Sequence, residues 1–188
     1  MFGQSQAFYH STIRKVVAGF GTLFNDIYIK RFNTDGTEKE RFKIPLSYSA
    51  KQKFIQKLRP TTGQLKFSLP RMGFEVSSMT YDPVRKLNTL QKRVSFDSNT
   101  QMNFRHERVP YDVDFSLYIA ANNIDDGLQI LEQILPFFSP EFTLTFNSLD
   151  GLDEKTDLPI TLTGVTFEDN YEGGFEEDRL VTISLSFS

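Results

Sequence analysis

Val109-Pro110-Tyr111-Asp112-Val113-Asp114-Phe115-Ser116-Leu117-Tyr118-Ile119 reads with a period of two. Val109, Tyr111, Val113, Phe115, Leu117 and Ile119 fall on one side, and Asp112, Asp114, Ser116 and Tyr118 on the other. Successive strand side chains point to opposite faces, so this is a strand with one dry and one wet face. A helix follows at once. Asn123 stands where an N-cap is wanted, and Asp125 and Asp126 stand in the first turn, where the helix dipole favours anions. Ile124, Leu128, Leu131, Ile134 and Leu135 then recur at helical spacing. Pro136 ends the helix, because it has no N–H and its ring clashes with the preceding turn. Phe142, Leu144 and Phe146 alternate as a second strand. A strand, helix and strand in this order bury a continuous apolar layer on which the rest must pack.

Upstream, Ile13, Val16, Val17, Phe20, Leu23 and Phe24 form a helical stripe after Ser11, interrupted by Gly19 and Gly21, which also let another backbone come close. Ile27 and Ile29 begin a strand. Asn33-Thr34-Asp35-Gly36 is turn chemistry, and Phe42, Ile44 and Leu46 return, which predicts a hairpin over 27–48. Pro45 cannot donate to a ladder and places this strand at an edge or bulge. Ser49 and Gln52 fit a capping box ahead of a short helix carrying Phe54, Ile55 and Leu58. Strands are expected at 65–69, 73–81 and 93–96. Residues 149–158 and 168–179 read as polar loops, with a strand at 160–167 between them. Val181, Ile183, Leu185 and Phe187 make a clean last strand. No repeat or low-complexity linker divides the chain. The expectation is a single α+β domain over 1–188, with a mainly antiparallel twisted sheet packed by a few helices. At this length roughly 70% of the unfolded surface is buried on folding.

Composition narrows the function. Cysteine is absent, which removes disulfides, thiolate metal sites and a cysteine nucleophile. No apolar run approaches the about 18 residues of a membrane span, and Met1-Phe2-Gly3-Gln4-Ser5 does not read as a signal peptide. His10 and His106 are the two histidines, and no serine sits in a nucleophile elbow. Gly19-Phe20-Gly21 lacks the rest of a dinucleotide fingerprint. The acidic 150–157 stretch lacks the spacing of a calcium loop. Asp112 and Asp114 share a strand face, as metal-dependent nucleases use, but a wet strand face carries such residues anyway. Neither a metal nor a cofactor is expected.

The charge is uneven. Residues 1–108 hold 19 of the 21 Lys and Arg and 8 of the 24 Asp and Glu, a balance of +11, and residues 109–188 a balance of −14. Either the two halves neutralise each other within one fold, or the asymmetry steers assembly. The span 85–108 carries Arg85, Lys86, Lys92, Arg93, Arg105 and Arg108. It reads either as a mobile basic arm that orders on binding or as a solvated hairpin. Phe2, Phe8 and Tyr9 lie on their own domain or dock on a neighbour. With 19 phenylalanines in the chain, some rings are available for a partner. Asp153, Glu154 and Asp157, then Glu176, Glu177 and Asp178, are the acidic counterparts. Basic residues interleaved with aromatics, as at Lys51, Lys53, Phe54, Lys57 and Arg59, raise nucleic-acid contact as a second class, against a pI of about 5.5.

Several stretches taken in order resemble the tail sheath stabilisers, or tail completion and terminator proteins, of T-even-type contractile-tailed bacteriophages. They are Met1-Phe2-Gly3, Leu23-Phe24-Asn25-Asp26-Ile27, Ile44-Pro45-Leu46-Ser47-Tyr48-Ser49-Ala50-Lys51, Leu69-Pro70-Arg71, the Tyr81 to Asn88 segment, and above all the stretch from Leu131 through Pro136-Phe137-Phe138 to Phe142. The resemblance implies a homo-oligomer, a ring of six subunits at the head-proximal end of the tail. Such a ring caps tube and sheath, contacts the tail tube terminator and sheath proteins, and offers a platform to the neck proteins of the head. It implies a virion component assembled in the host cytoplasm, with DNA passing through without sequence-specific binding, and no membrane. A structural protein rather than an enzyme is therefore expected, with a DNA-contacting neck or connector component as the alternative. If the positive half of one subunit meets the negative half of the next, added salt weakens the ring.

Overall fold

Strand β7 (Tyr111–Ala121), the stretch quoted first, lies inside a six-stranded sheet. The computed structural model describes residue 9 and residues 11–58, 69–88, 92–96, 102–106, 109–139, 141–149, 152–170 and 180–188. In chain order the other elements are α1 (Thr12–Leu23), β1 (Tyr28–Phe32), β2 (Glu38–Lys43), β3 (Leu46–Tyr48), α2 (Lys51–Leu58), β4 (Arg71–Tyr81), β5 (Lys92–Phe96) and β6 (Met102–His106). After β7 come α3 (Ile124–Ile134), a 3-10 turn, β8 (Glu141–Leu149), β9 (Leu152–Asn170) and β10 (Leu180–Phe187). The sheet order is β3-β4-β7-β10-β9-β8; β1–β2 and β5–β6 are separate hairpins. Every pairing is antiparallel except β3 with β4. The result is a single-domain α+β fold whose mixed sheet curls into a half-barrel. Register shifts at Val76/Ser78 in β4 and at Ser186/Phe187 in β10 mark irregular steps of the kind that bend strands.

Register explains the core. Phe115, Leu117 and Ile119 face the same way as Phe187, Leu185 and Ile183 opposite them on β10, and as Val76, Phe74 and Met72 on β4. Helices α1 and α3 and the residues Ile27, Ile29 and Ile44 cover this face. Phe20 is its centre, stacked on Phe115 at 4.2 Å and ringed by Phe24, Phe74 and Phe187. Gly19 and Gly21 bring α1 close, though to side chains rather than to backbone. An added Cβ would stand 2.6 Å from Leu144 Cδ2 and 2.9 Å from Phe74 Cζ respectively.

The opposite sheet face is not wholly wet, as the alternation implied. Tyr118 and Ala120 are buried there beneath Phe54 of α2, together with Ile55, Leu58, Leu69 and Leu180. Tyr118 donates its hydroxyl proton to Glu75, and Lys51 binds Glu168 at 2.7 Å while lying 5.6 Å from the Tyr118 ring. Burial first, then the bond to the Glu75 carboxylate, pushes the Tyr118 hydroxyl up to about 12. The fold therefore favours neutral tyrosine. That contribution is complete below the ordinary value of 10.0 and is lost as pH rises through about 12. In urea unfolding, Tyr118→Phe should remove about 1 kcal/mol of the stability the native chain loses between about pH 8 and about pH 11. An alkaline loss of unchanged size in the variant would assign it to other groups.

Other expectations shift. The 27–48 hairpin ends at Lys43; Pro45 divides it from β3, which joins β4 in the other sheet as its edge strand. The Ser49 capping box is not made: Ser49 Oγ is buried without a partner, and Lys51 N donates to Glu75 Oε1 at 3.4 Å. Asn123 holds the N-cap position of α3 but makes no side-chain cap bond. The predicted loop at 149–158 is mostly strand, because 152–158 extends β9 against β8. Helix α3 is also rotated from the expected face. Gly127, Ile130, Leu131 and Ile134 are buried, whereas Ile124, Leu128 and Leu135 are exposed. The rotation brings Gly127 against Ile183, where an added Cβ would lie 3.0 Å from Ile183 Cδ1. Two side-chain amides then tie α3 to β1. Gln133 Nε2 donates to Tyr28 O at 2.7 Å, and Lys30 N donates to Gln129 Oε1 at 3.2 Å.

Candidate assembly surfaces

The end of the β4–β7 pair carries a basic turn. Asp82 Oδ1 accepts from Val84 N at 2.8 Å and Arg85 N at 3.4 Å, an Asx turn that fixes the backbone. The Arg85 guanidinium binds both Asp82 and Asp112. Arg85 holds the Asp82 carboxyl below its ordinary value, and the two carboxylates raise Arg85 in turn. Arg85 is therefore engaged within its own chain. Lys86, by contrast, is exposed and makes no ion pair among the described residues. Val84 beside it is 91% exposed, and Leu87 is 50% exposed.

A second surface was not visible as a site in the sequence. An apolar trough of about 610 Å³ lies between the end of α1 and the α3–β8 connection, where Pro136 ends the helix. Leu23, Ile27, Pro136, Phe137 and Phe142 line it, with Asp26 and Glu132 among the lining residues. Phe137 is 65% exposed. Phe138 turns inward instead, packing on Phe24 and Phe187. Two adjacent rings after a helix end tend to face different ways, and that is the signal that could have pointed to this surface. Asp26 already binds Lys43 at 2.8 Å, whereas Glu132 has no ion pair among the described residues.

The remaining candidates are scattered. Tyr9 is exposed, and Phe2 and Phe8 lie outside the described residues, as do Arg108, Glu176, Glu177 and Asp178. Lys92, Arg93 and Arg105 belong to the β5–β6 hairpin, where Lys92 pairs with His106 and Arg93 with Arg105 in register. That hairpin occupies part of the 85–108 span. Asp153 and Glu154 lie in β9. Asp157 is exposed and accepts from Thr145 Oγ1 at 2.6 Å across the β8–β9 pair. Charge is partly balanced within one chain: Arg31–Asp126, Lys51–Glu168 and Arg85–Asp112 each join the basic and acidic halves. Asp114 accepts from Ser78, so both strand carboxylates considered for metal chemistry have protein partners. Among the described residues no group of three or more His, Asp or Glu is placed to hold a metal ion, and no helix is long and apolar enough to cross a membrane.

The half-barrel thus carries an exposed apolar turn and a separate apolar trough, surfaces of the kind that mark contact sites on other proteins. The chain belongs to the T4-like virus Myoviridae tail sheath stabiliser family, whose profile matches residues 7–188. It is also 29% identical over 197 residues to the tail completion protein gp15 of Enterobacteria phage T4, an alignment covering 100% of this chain and 71% of that protein. Of the stretches on which the resemblance was read, 81–88 carries the turn, and 23–27 and 131–142 contribute to the trough.

Proposed function

We propose that this chain closes into a ring, six-fold as the resemblance implies, at the head-proximal end of a contractile phage tail. There it ends and steadies the tube and sheath and gives the neck of the head its docking surface. Family membership over 7–188 carries this reading, together with a relative whose name is tail completion protein. The fold supports it physically. A ring-forming cap needs unlike surfaces, because contacts between unlike surfaces generate rings when the rotation closes. The role is architectural, with no bond made or broken, in the virion tail after assembly in the host cytoplasm. The alternative of a DNA-contacting connector has less behind it, since Arg31, Lys51 and Arg85 are engaged by carboxylates of the same chain. Imaging tails assembled with and without the protein tests the proposal. With it, tails should be of uniform length and accept heads. Without it, sheaths should be unstable or uneven and heads should stay unjoined. Uniform tails joined to heads in its absence would refute the role.

A further inference from the structure

The turn and the trough complement each other. The turn is held by its own Asx bonds and by the Arg85 ion pairs, so little conformational freedom is lost when something binds it. It presents Val84 and Leu87, apolar and exposed, with the cation Lys86 between them. The trough is apolar, walled by Leu23, Ile27 and Phe142, with Phe137 exposed beside it and Glu132 as a carboxylate without an ion pair among the described residues. Exposed apolar groups rimmed by charge mark protein contact sites, and opposite charges set which surfaces meet.

We infer that the 82–87 turn of one subunit seats in the trough of the next, with Val84 and Leu87 against Phe137 and Lys86 opposite Glu132. This rests on the ring reading above and names its contact. Turn and trough are different parts of one chain, so each subunit gives a turn to one neighbour and a trough to the other. That is a head-to-tail contact, able to close on itself. Arg85 is left to shape the turn rather than to reach across.

The absence of native cysteine allows a direct test. Full-length Val84→Cys and Phe137→Cys chains, mixed at a concentration where the unsubstituted chain forms rings alone or on isolated tails, should give a cross-linked pair on oxidation or with a short bis-maleimide. The double variant should give a ladder ending in a closed ring. Neither single variant alone should cross-link. Separately, Lys86→Glu and Glu132→Lys should each weaken ring formation about tenfold or more, and the two together should restore most of it. Val84→Asp should abolish the ring while melting like the unsubstituted chain. Rings that form normally in Val84→Asp, or single variants that cross-link with themselves, overturn the contact and leave the ring standing. A chain that stays monomeric even on tails overturns both.

Discussion

Phe20→Ala should destabilise the fold by about 4 kcal/mol and lower its melting temperature by about 10 °C. Phe20 has no solvent exposure and touches four other rings, stacked on Phe115 and edge-on to Phe187. Truncation removes both the transfer free energy of the ring and the aromatic pairing, and leaves a cavity whose size depends on how far the walls relax. Here they relax little. Helix α1 is already packed closely at Gly19 on Leu144 and at Gly21 on Phe74, which limits how far it moves inward on either side of the gap. The loss belongs near the upper end of the range for such changes, and in a domain stabilised by about 5–15 kcal/mol it is a large fraction of the total. Urea unfolding with an unchanged slope would read it directly. A loss below about 1.5 kcal/mol would mean that the aromatic cluster is not the centre of the core. Because α1 also carries Leu23 and Phe24 into the trough, the variant should lose assembly together with stability.

Arg31→Ala should destabilise by about 2 kcal/mol, more than an exposed ion pair on a hairpin would suggest. Its partner Asp126 is 5% exposed in the first turn of α3, and Arg31 Nη2 approaches Asp126 Oδ2 at 3.1 Å. The guanidinium also lies 5.1 Å from the Phe42 ring, so its loss removes a cation–π contact and packing on β2. Deleting the cation strands a desolvated carboxylate, which is the expensive half of breaking such a pair. The positive end of the α3 dipole offsets part of the loss, and the half-exposed Arg31 gives up little desolvation, so the effect falls short of a fully buried pair. Removing the stranded charge as well, in Arg31→Ala with Asp126→Asn, should recover about 1 kcal/mol. A double variant as unstable as the sum of the two singles would show that the residues act independently.

Local pattern and non-local packing divide what could be read from the chain. The alternation at 111–119 and 181–187 marked two neighbouring central strands because one face of each is buried over most of its length, from Phe115 onward in β7, although Tyr111 and Val109 on the expected dry face are exposed. The Asn33 to Gly36 turn and the Pro136 stop are set by backbone chemistry and needed no tertiary information. The orientation of α3 was different. Its apolar residues permit two stripes, and Gly127 meeting Ile183 from a strand 56 positions later selected between them. The dry patch around Tyr118 was hidden for a similar reason: nothing near Tyr118 announces that Phe54 covers it. The strand at 152–158 was masked by its acidic side chains, which suit an outer strand as well as a loop. The site followed the same rule. Lys86 was legible as a surface cation, while the trough consists of residues whose apolar character read as core, of which Phe137 is largely exposed.

The central claim is that this chain closes the head-proximal end of the tail. Electron cryomicroscopy of isolated contractile tails saturated with the purified protein, with each tail's two ends distinguished by the baseplate, measures it most directly. The account predicts one rotationally symmetric ring per tail, at the end away from the baseplate, with the Val84 turn of each subunit against the Phe137 face of the next. Protein scattered along the sheath, bound at both ends, or absent from tails competent to accept heads would contradict it.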